Sequence, residues 1–540
     1  MLNYRKDSSP KNTIKQIKKI LRKNNIKTKE YRVKNINKSF FSVRIEIKGF
    51  YDMGTNGKGI TKTLARASGY AELMERIQSR ILINNYFLNK HNDLFNFYDE
   101  CLNDDIFKNS DLINSFFSIT NYKKLFTNHD KYKVLDVYKD VVNNKDCYLP
   151  TKLIYLTSSS NGLCAGNNYY EAVNQGVAEI FERYIYRKIL FDNLPLSDVK
   201  IDDDLPIYKK IIALEKNGYT IRIKDCSNDE LPVIGVLIIK DDKYLFTLGS
   251  DCDLNIAIQR CLTEAFQGLS GYNQIDKKMK SIHNNYDKLT EDEKYVNWLQ
   301  CYASNNGIHP QSIFSTESVK NHKDLKIFKS LSTNKEVFDY MIKIIKKLKL
   351  NIYIKDYSYL GFSTYKIYMP KLSNISFIND REIDLYNNYD NIKEAYFDIE
   401  NFNDRKKITN LIEVLKTVMN SRKYSLVSLG NFFHTERYLK TNYNNITFQF
   451  LVGLLELKLY NEIHTVNEID DEKVRSYFNH INSIDSNINK FNFVLRNLNL
   501  KTPSCPNCNF CKLKNKCKYK NWKTINSILK EKEALFRKLN

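Results

Sequence analysis

No run of this chain approaches the ~20 consecutive apolar residues that a membrane span needs. The segment FLVGLLELKLY (Phe450–Tyr460) is too short and carries charge. Residues 1–25 are too charged for a secretory leader and contain no apolar core, so a cytoplasmic protein without a membrane partner is expected. There is no GxxxxGK[ST] phosphate loop and no protein-kinase motif set. RNP, helix-turn-helix and zinc-finger patterns are missing too, which removes the common nucleic-acid modules. Acidic residues are in deficit: 62 Asp+Glu against 84 Lys+Arg leave a formal net charge of +22. The lysines are scattered, with local clusters at 15–23 and 343–349, and Asn, Ile and Tyr are enriched alongside them. Direct nucleic-acid contact stays open, and a general compositional bias accounts for the charge equally well. Of the 11 cysteines, Cys101, Cys147, Cys164, Cys226, Cys252, Cys261 and Cys301 stand singly, as in a reduced cytosolic protein rather than a disulfide framework.

What is present is enough for a large core. The chain has 540 residues, 42% of them hydrophobic and 13% aromatic, which fits two or three domains. Residues 1–9 read as a frayed tail and Lys11–Asn24 as an amphipathic helix. Ser42–Gly49 alternates as a strand, followed by a Gly-rich turn, TNGKGIT (Thr55–Thr61), and a helix over Lys62–Asn85. Residues 86–145 read as short helices and loops, and Leu149–Leu156 as a strand. Residues 185–215 read as helical with breaks at two prolines. Strands are expected at Thr220–Lys224, Val233–Ile239, Leu245–Gly249, Ile352–Asp356 and Thr364–Met369, and helices at Ile256–Leu269 and Val337–Lys349. Residues 271–330 read as an inserted set of loops and short helices. After about Ile383 the strand signals fade and helical periodicity takes over.

The chain is organised around Ser160–Tyr184, SNGLCAGNNYYEAVNQGVAEIFERY. A small-residue turn leads into a helix whose N-terminus, with its free N–H groups and positive dipole end, suits a phosphate. Its acids, Glu171, Glu179 and Glu182, sit among apolar residues and leave little plainly solvated face. Two other helices repeat the arrangement. In ARASGYAELMERI, Ser68, Glu72, Glu75 and Arg76 fall within an arc of about 100° at ~100° per residue. In AIQRCLTEAFQG, Arg260, Glu264 and Gln267 repeat the spacing, and each helix follows a small-residue turn. A single such helix is explained by a solvated acidic face. Three are better explained by convergence, and converging buried carboxylates need cations or must protonate. Hard oxygen donors without His or Cys suit Mg²⁺, which usually keeps company with substrate phosphates. Arg76, Arg183 and Arg260 would complete an anion clamp. Phosphoryl transfer is the chemistry this implies.

The patterns Ser68-x3-Glu72-x2-Glu75-Arg76, SNGLCAGN with Glu171, Glu179-x2-Glu182-Arg183 and Arg260-x3-Glu264-x2-Gln267 resemble those of the YcaO family. The likeness runs from roughly Phe50 to Phe377, taking in TNGKGITKTLARAS and DYSYLGFSTYKIYMP. It implies an α+β fold, with a YcaO-type ATP-binding domain of mixed sheets and helices over residues 49–383. An N-terminal helix–strand extension (1–48) precedes that domain, and a mainly helical domain (384–500) and a segment with a four-cysteine cluster and a terminal helix (501–540) follow it. It also implies ATP and Mg²⁺ as cofactors, and activation of a peptide backbone amide by phosphorylation of its oxygen after a nucleophile adds to the carbonyl carbon. Azolines or thioamides are the products. The stand-alone bacterial type, which the chain resembles most, is linked instead to β-methylthiolation of a small-subunit ribosomal protein, as accessory to a radical methylthiotransferase. By the resemblance, Glu72, Glu75, Glu179, Glu182 and Glu264 are Mg²⁺ ligands or close to them. Ser68, Arg76, Asn167, Glu171, Arg183 and Arg260 contact ATP, and Lys58 reaches a phosphate. Glu75, Glu182, Arg183 and Gln267 stand closest to the chemistry. A peptide or protein substrate and a homodimer are expected. Two departures stand out: the chain has no proline after Pro506 and so lacks the Pro-rich tail of azoline-forming members, and the motifs contain no His to serve as a general base.

Near the C-terminus Cys505, Cys508, Cys511 and Cys517 follow C-x2-C-x2-C-x5-C within a lysine-rich stretch. An all-Cys ligand set this close suits a [4Fe–4S] cluster or zinc, with the tight spacing favouring iron–sulfur.

Overall fold

The computed structural model describes residues 5–48, 53–81, 136–194, 196–228, 230–376, 384–385, 388–420, 424, 428–429, 445–500 and 519–539. The Cys505–Cys517 cluster, Cys101 and most of the expected loop region 86–145 lie outside them.

The first layer is built from α1 (Pro10–Lys23), β1 (Thr28–Glu30), β2 (Lys34–Ile36), β3 (Phe40–Ile47), β4 (Gly54–Gly59) and α2 (Lys62–Gln78). Strands β1 and β2 share one edge of β3, and β4 takes the other. Ser9 caps α1 and Pro10 opens it, a pairing that fits the missing proline N–H. The stretch expected as a Gly-rich turn is therefore strand β4, with Gly57 opposite Val43 and Lys58 opposite Ser42. Its glycines are set by packing: a Cβ on Gly57 would lie 2.0 Å from the Ala65 carbonyl oxygen and 2.4 Å from the Gly69 nitrogen of α2. Helix α2 ends at Gln78, earlier than expected, because Arg80 turns into the left-handed region at φ 58°.

A five-stranded antiparallel sheet follows, formed by β5 (Asp136–Asp140), β6 (Lys145–Leu149), β7 (Leu163–Ala165), β14 (Tyr353–Asp356) and β15 (Thr364–Tyr368) in the order β6-β5-β14-β15-β7. The expected strand at Leu149–Leu156 is instead the end of β6 and a helix, α3 (Thr151–Ser158). A short apolar run does not separate the two periods, and Pro150 divides them. Strands β5 and β6 replace the loops expected over 136–145.

The third layer is a six-stranded sheet of β8 (Ser197–Lys200), β9 (Thr220–Asp225), β10 (Val233–Lys240), β11 (Lys243–Ser250), β12 (Lys280–Ser281) and β13 (Val319–Asn321). Its order is β12-β11-β10-β9-β8-β13, with only the last pair parallel. In the region expected to be helical with two proline breaks, strand β8 stands between α4 and a short helix α5 (Tyr208–Glu215).

Helix α4 (Tyr169–Phe191) lies between these two sheets, touching β7 and β15 of one and β10 and β11 of the other. It buries Ala172, Val177, Ile180, Phe181, Ile185 and Ile189 around most of its circumference, as a helix in a core must. Helix α6 (Leu254–Ala265) lies on β10 and β11, α7 (Glu291–Ser304) belongs to the inserted stretch, and α8 (Asn334–Lys347) packs on α4.

Beyond residue 384 the described residues are helical: α9 (Tyr389–Phe397), α10 (Arg405–Lys416), α11 (Phe448–Tyr460), α12 (Glu472–Asn482) and α13 (Lys490–Asn497). They bury a core of their own around Ile392, Leu411, Leu454, Phe478 and Val494. The last helix, α14 (Tyr519–Leu539), returns to the first layer. Its Leu529 is fully buried among Leu73, Met74 and Ile77 of α2 and Tyr359 and Phe362. Among the described residues no helix is long and apolar enough to cross a membrane.

Candidate nucleotide and metal site

The three acidic helices meet. Helix α2 presents Ser68, Glu72, Glu75 and Arg76, and α4 presents Glu171, Glu179, Glu182 and Arg183. Helix α6 supplies Arg260 and Glu264, with Gln267 just beyond its end; Asn167 precedes α4 and Lys58 stands on β4. All of these line one cleft of about 450 Å³. Each helix starts with a side-chain cap, from Thr61, Asn168 or Asp253. The N-terminus of α4 is closed by Asn168, whose Oδ1 accepts from the Glu171 N–H at 2.9 Å. The charges that face the cleft therefore lie further along the helix than a simple N-terminal phosphate site would place them.

Cations interleave the carboxylates. Arg76 Nε lies 3.4 Å from Glu75 Oε1, and its Nη2 lies 3.8 Å from Glu72 Oε1. Lys58 pairs with Glu264. Arg260 Nη2 donates to Gln175 Oε1 at 2.8 Å and lies 3.4 Å from Asp251 Oδ2. The Arg183 guanidinium sits over the Tyr302 ring, 5.3 Å from its centroid. Among the described residues the buried Arg183 Nε has no hydrogen-bond partner. Burial pushes the Glu75 carboxyl up to about 8; Arg76 opposes this, while Glu72 and Glu179 add to it. Burial raises Glu72 and Glu182 as well, although Glu72 keeps 35% of its side-chain surface open to the narrow cleft. Beneath the floor, burial draws Lys366 down to about 7 against the pull of Glu179. Its Nζ donates to Ser158 Oγ and the carbonyls of Ser159 and Asn161, which ties the SNGLCAG turn together.

Residues 5–9, expected to fray, run along the cleft instead. Arg5 pairs with Asp251, Lys6 Nζ lies 2.9 Å from Glu171 Oε1, and the Asp7 N–H donates to Glu171 Oε2 at 3.1 Å. Thr13 donates to Asn167 Oδ1 at 2.7 Å, and Asn167 Nδ2 donates to both oxygens of Glu171. Arg5, Lys6, Thr13 and Asp251 thus join the wall without belonging to a spaced motif. The Ser9-Pro10 helix start was the available signal that order begins this early. Gln267 Nε2 donates to the Asn56 carbonyl at 2.6 Å and so fixes β4.

Among the described residues no three His, Cys, Asp or Glu side chains converge closely enough to hold a metal ion unaided. The five carboxylates are spread along the cleft rather than drawn into a cage. Mg²⁺ commonly takes one or two carboxylates and fills its remaining positions with phosphate oxygens and water, so the donor set fits Mg²⁺ arriving with a polyphosphate.

Carboxylates thus alternate with guanidinium and ammonium groups in one cleft, in a chain whose sequence has no phosphate loop. The chain belongs to the YcaO family: the family model, described as the ATP- and Mg²⁺-binding YcaO cyclodehydratase, matches residues 56–373. The chain is 25% identical over 359 residues to the ribosomal protein S12 methylthiotransferase accessory factor YcaO of Escherichia coli, covering 62% of this chain and 60% of that protein. A Haemophilus influenzae protein of no stated function matches with 25% identity over 360 residues and the same coverage. The chain thus spans about 60% of the length of these curated relatives. Among solved structures, YcaO from Methanopyrus kandleri bound with AMPPCP and Mg²⁺ is 16% identical, with a TM-score of 0.44, covering 68% of this chain and 91% of that one.

Proposed function

We propose that the chain uses ATP and Mg²⁺ to activate a backbone amide of a peptide or protein. The observation that carries this reading is the meeting of three like-patterned helices, α2, α4 and α6, around one cleft lined with both carboxylates and cations. Glu72, Glu75, Glu179, Glu182 and Glu264 would share the Mg²⁺, whose charge offsets that of the transferring phosphoryl group. Arg76, Arg183, Arg260 and Lys58 would grip phosphate oxygens, with Ser68, Asn167 and Glu171 fixing the rest of the nucleotide. As a nucleophile adds to the amide carbon, the carbonyl oxygen takes the negative charge and bonds to the γ-phosphorus. ADP leaves, and the former amide oxygen later departs with the phosphate. Gln267 would act by holding β4, and with it Lys58, in place.

The likeness to the E. coli accessory factor favours a second reading, in which the chain assists a radical methylthiotransferase acting on a small-subunit ribosomal protein. ATP turnover with each candidate acceptor, followed by mass spectrometry of that acceptor, separates the two. Amide activation predicts ADP release together with a changed acceptor mass, and Glu179→Gln with Glu264→Gln abolishes both. ADP release that requires the ribosomal partner favours the accessory role. A chain that binds no ATP with Mg²⁺ refutes both readings. Cys505, Cys508, Cys511 and Cys517 would form a separate metal site, which iron and zinc content distinguishes. Division at about 48, 383 and 500 is proposed with this assignment, and so is a homodimer.

A further inference from the structure

The inserted stretch between α6 and α8 reaches the cleft at the C-terminal end of α7. Helix α7 is held firmly: Trp298 is fully buried and its Nε1 donates to the Ile375 carbonyl at 2.9 Å. Asn297 makes two hydrogen bonds to the Ile308 backbone, at 2.8 and 2.9 Å, which pins the turn after the helix. Within that turn Gly307 packs so closely that a Cβ would lie 2.2 Å from Cys301 Sγ. The helix stops at Asn305, in the left-handed region at φ 51°, ψ 35°, and its N–H caps the Cys301 and Gln300 carbonyls. From there Asn305 Nδ2 donates to Glu264 Oε1 at 3.0 Å, while Lys58 pairs with the other oxygen, Oε2. One turn earlier, the Tyr302 ring lies against the Arg183 guanidinium and its hydroxyl is 3.2 Å from Ser160 Oγ.

Glu264 is thus gripped from opposite sides by β4 and by the inserted helix. Arg183, whose Nε lacks a hydrogen-bond partner among the described residues, has the Tyr302 ring against its guanidinium while Glu182 and Glu179 attract its charge. An aromatic face fixes the direction of the guanidinium while leaving its donors available to an anion. We infer that Asn305 and Tyr302 are positioning residues, Asn305 orienting the Glu264 carboxylate and Tyr302 the Arg183 guanidinium. The inserted stretch then shapes the site together with the motif helices. This rests on reading the cleft as an Mg²⁺–nucleotide site.

Asparagine is also a common left-handed helix cap, so the test must keep the cap and remove only the amide. Asn305→Gly does so, because glycine adopts the same backbone at no steric cost. Binding of a non-hydrolysable ATP analogue is measured by calorimetry on the full chain, with Mg²⁺ and with EDTA, alongside thermal melting. Asn305→Gly is expected to melt within a degree or two of wild type. It should weaken Mg²⁺-dependent binding about tenfold, the scale of one hydrogen bond to a charged group, and leave binding in EDTA unchanged. Tyr302→Leu is expected to weaken binding under both conditions, and Tyr302→Phe, which keeps the ring, to restore it. If wild type binds Mg²⁺–nucleotide and both Asn305→Gly and Tyr302→Leu match it, the positioning inference is wrong while the nucleotide reading stands. If wild type binds none, the nucleotide reading itself is wrong and the inference goes with it.

Discussion

Glu75 shows how the cleft manages its charge. Its carboxyl is 12% exposed and is raised to about 8 by burial, with Arg76 only partly compensating. A carboxyl raised in the folded state stabilises the fold fully below its unfolded value, near 4.5, and loses that contribution as pH rises through the folded value. Between pH 6.5 and 9 the ligand-free protein should therefore lose stability at this residue. Lys366, drawn down to about 7, works in the opposite direction over a neighbouring range, so the comparison must be made against a variant. Glu75→Gln keeps the shape without the charge. The difference in melting temperature, variant minus wild type, should grow by a few degrees from pH 6.5 to 9. A flat difference would mean that Glu75 titrates normally. At this scale the motif residues were legible because spacing along a helix fixes a face, and three like faces imply a meeting point. Arg5, Lys6, Asp251 and Asn305 were not legible. Each acts through a partner far away in the chain, and no periodicity records that distance.

At the scale of elements, the small-residue stretches are where the sequence reading went astray. TNGKG looks like a turn because glycine usually marks one, yet here it is the strand on which α2 rests. Gly57→Ala makes the distinction measurable. The added methyl meets backbone atoms of α2, which cannot rotate away, and such overpacking costs about 3 kcal/mol. Chemical denaturation should show that loss, together with weaker nucleotide binding, since Lys58 is the next residue; a turn glycine would show neither. The short strands β5 and β8 and the helix α3 were hidden for a related reason: runs this brief satisfy either period. Helix α14 was expected only as a terminal helix, and its docking depends on long-range ion pairs. Glu533 joins Arg80, at the end of α2, to Arg537, and Arg537 Nη1 lies 3.0 Å from Asp136, which also pairs with Lys355. Glu533 is 6% exposed and bridges two cations, Arg80 and Arg537, so removing it takes a buried carboxylate from both and costs about 3 kcal/mol, whereas removing Arg80 leaves Glu533 paired with Arg537 and costs less. Glu533→Met should destabilise more than Arg80→Met, and the double variant by less than their sum. Simple additivity would show that the pair does not hold α14 in place.

The molecule as a whole carries two kinds of burial that need not fail together. The described residues between 385 and 500 close around their own core, and the three sheet layers close around α2, α4 and α6. Helix α14 follows the helical region in sequence but places Leu529 in the core beside α2. Chain order and mechanical order therefore differ, which composition and periodicity could not reveal, because an amphipathic helix does not name the surface it will cover. The consequence is testable by calorimetry of the full chain. Two unfolding transitions are expected. Mg²⁺ with a non-hydrolysable ATP analogue at a hundred times its Kd adds about 2.7 kcal/mol to whichever unit binds it, and should raise only the sheet-containing transition. Ending the chain at residue 518 removes α14. It should lower that same transition, although the deleted residues are next in sequence to the helical region. If the truncation lowers the other transition, or the ligand raises both equally, then α14 belongs energetically to the helical unit and the cleft does not depend on it.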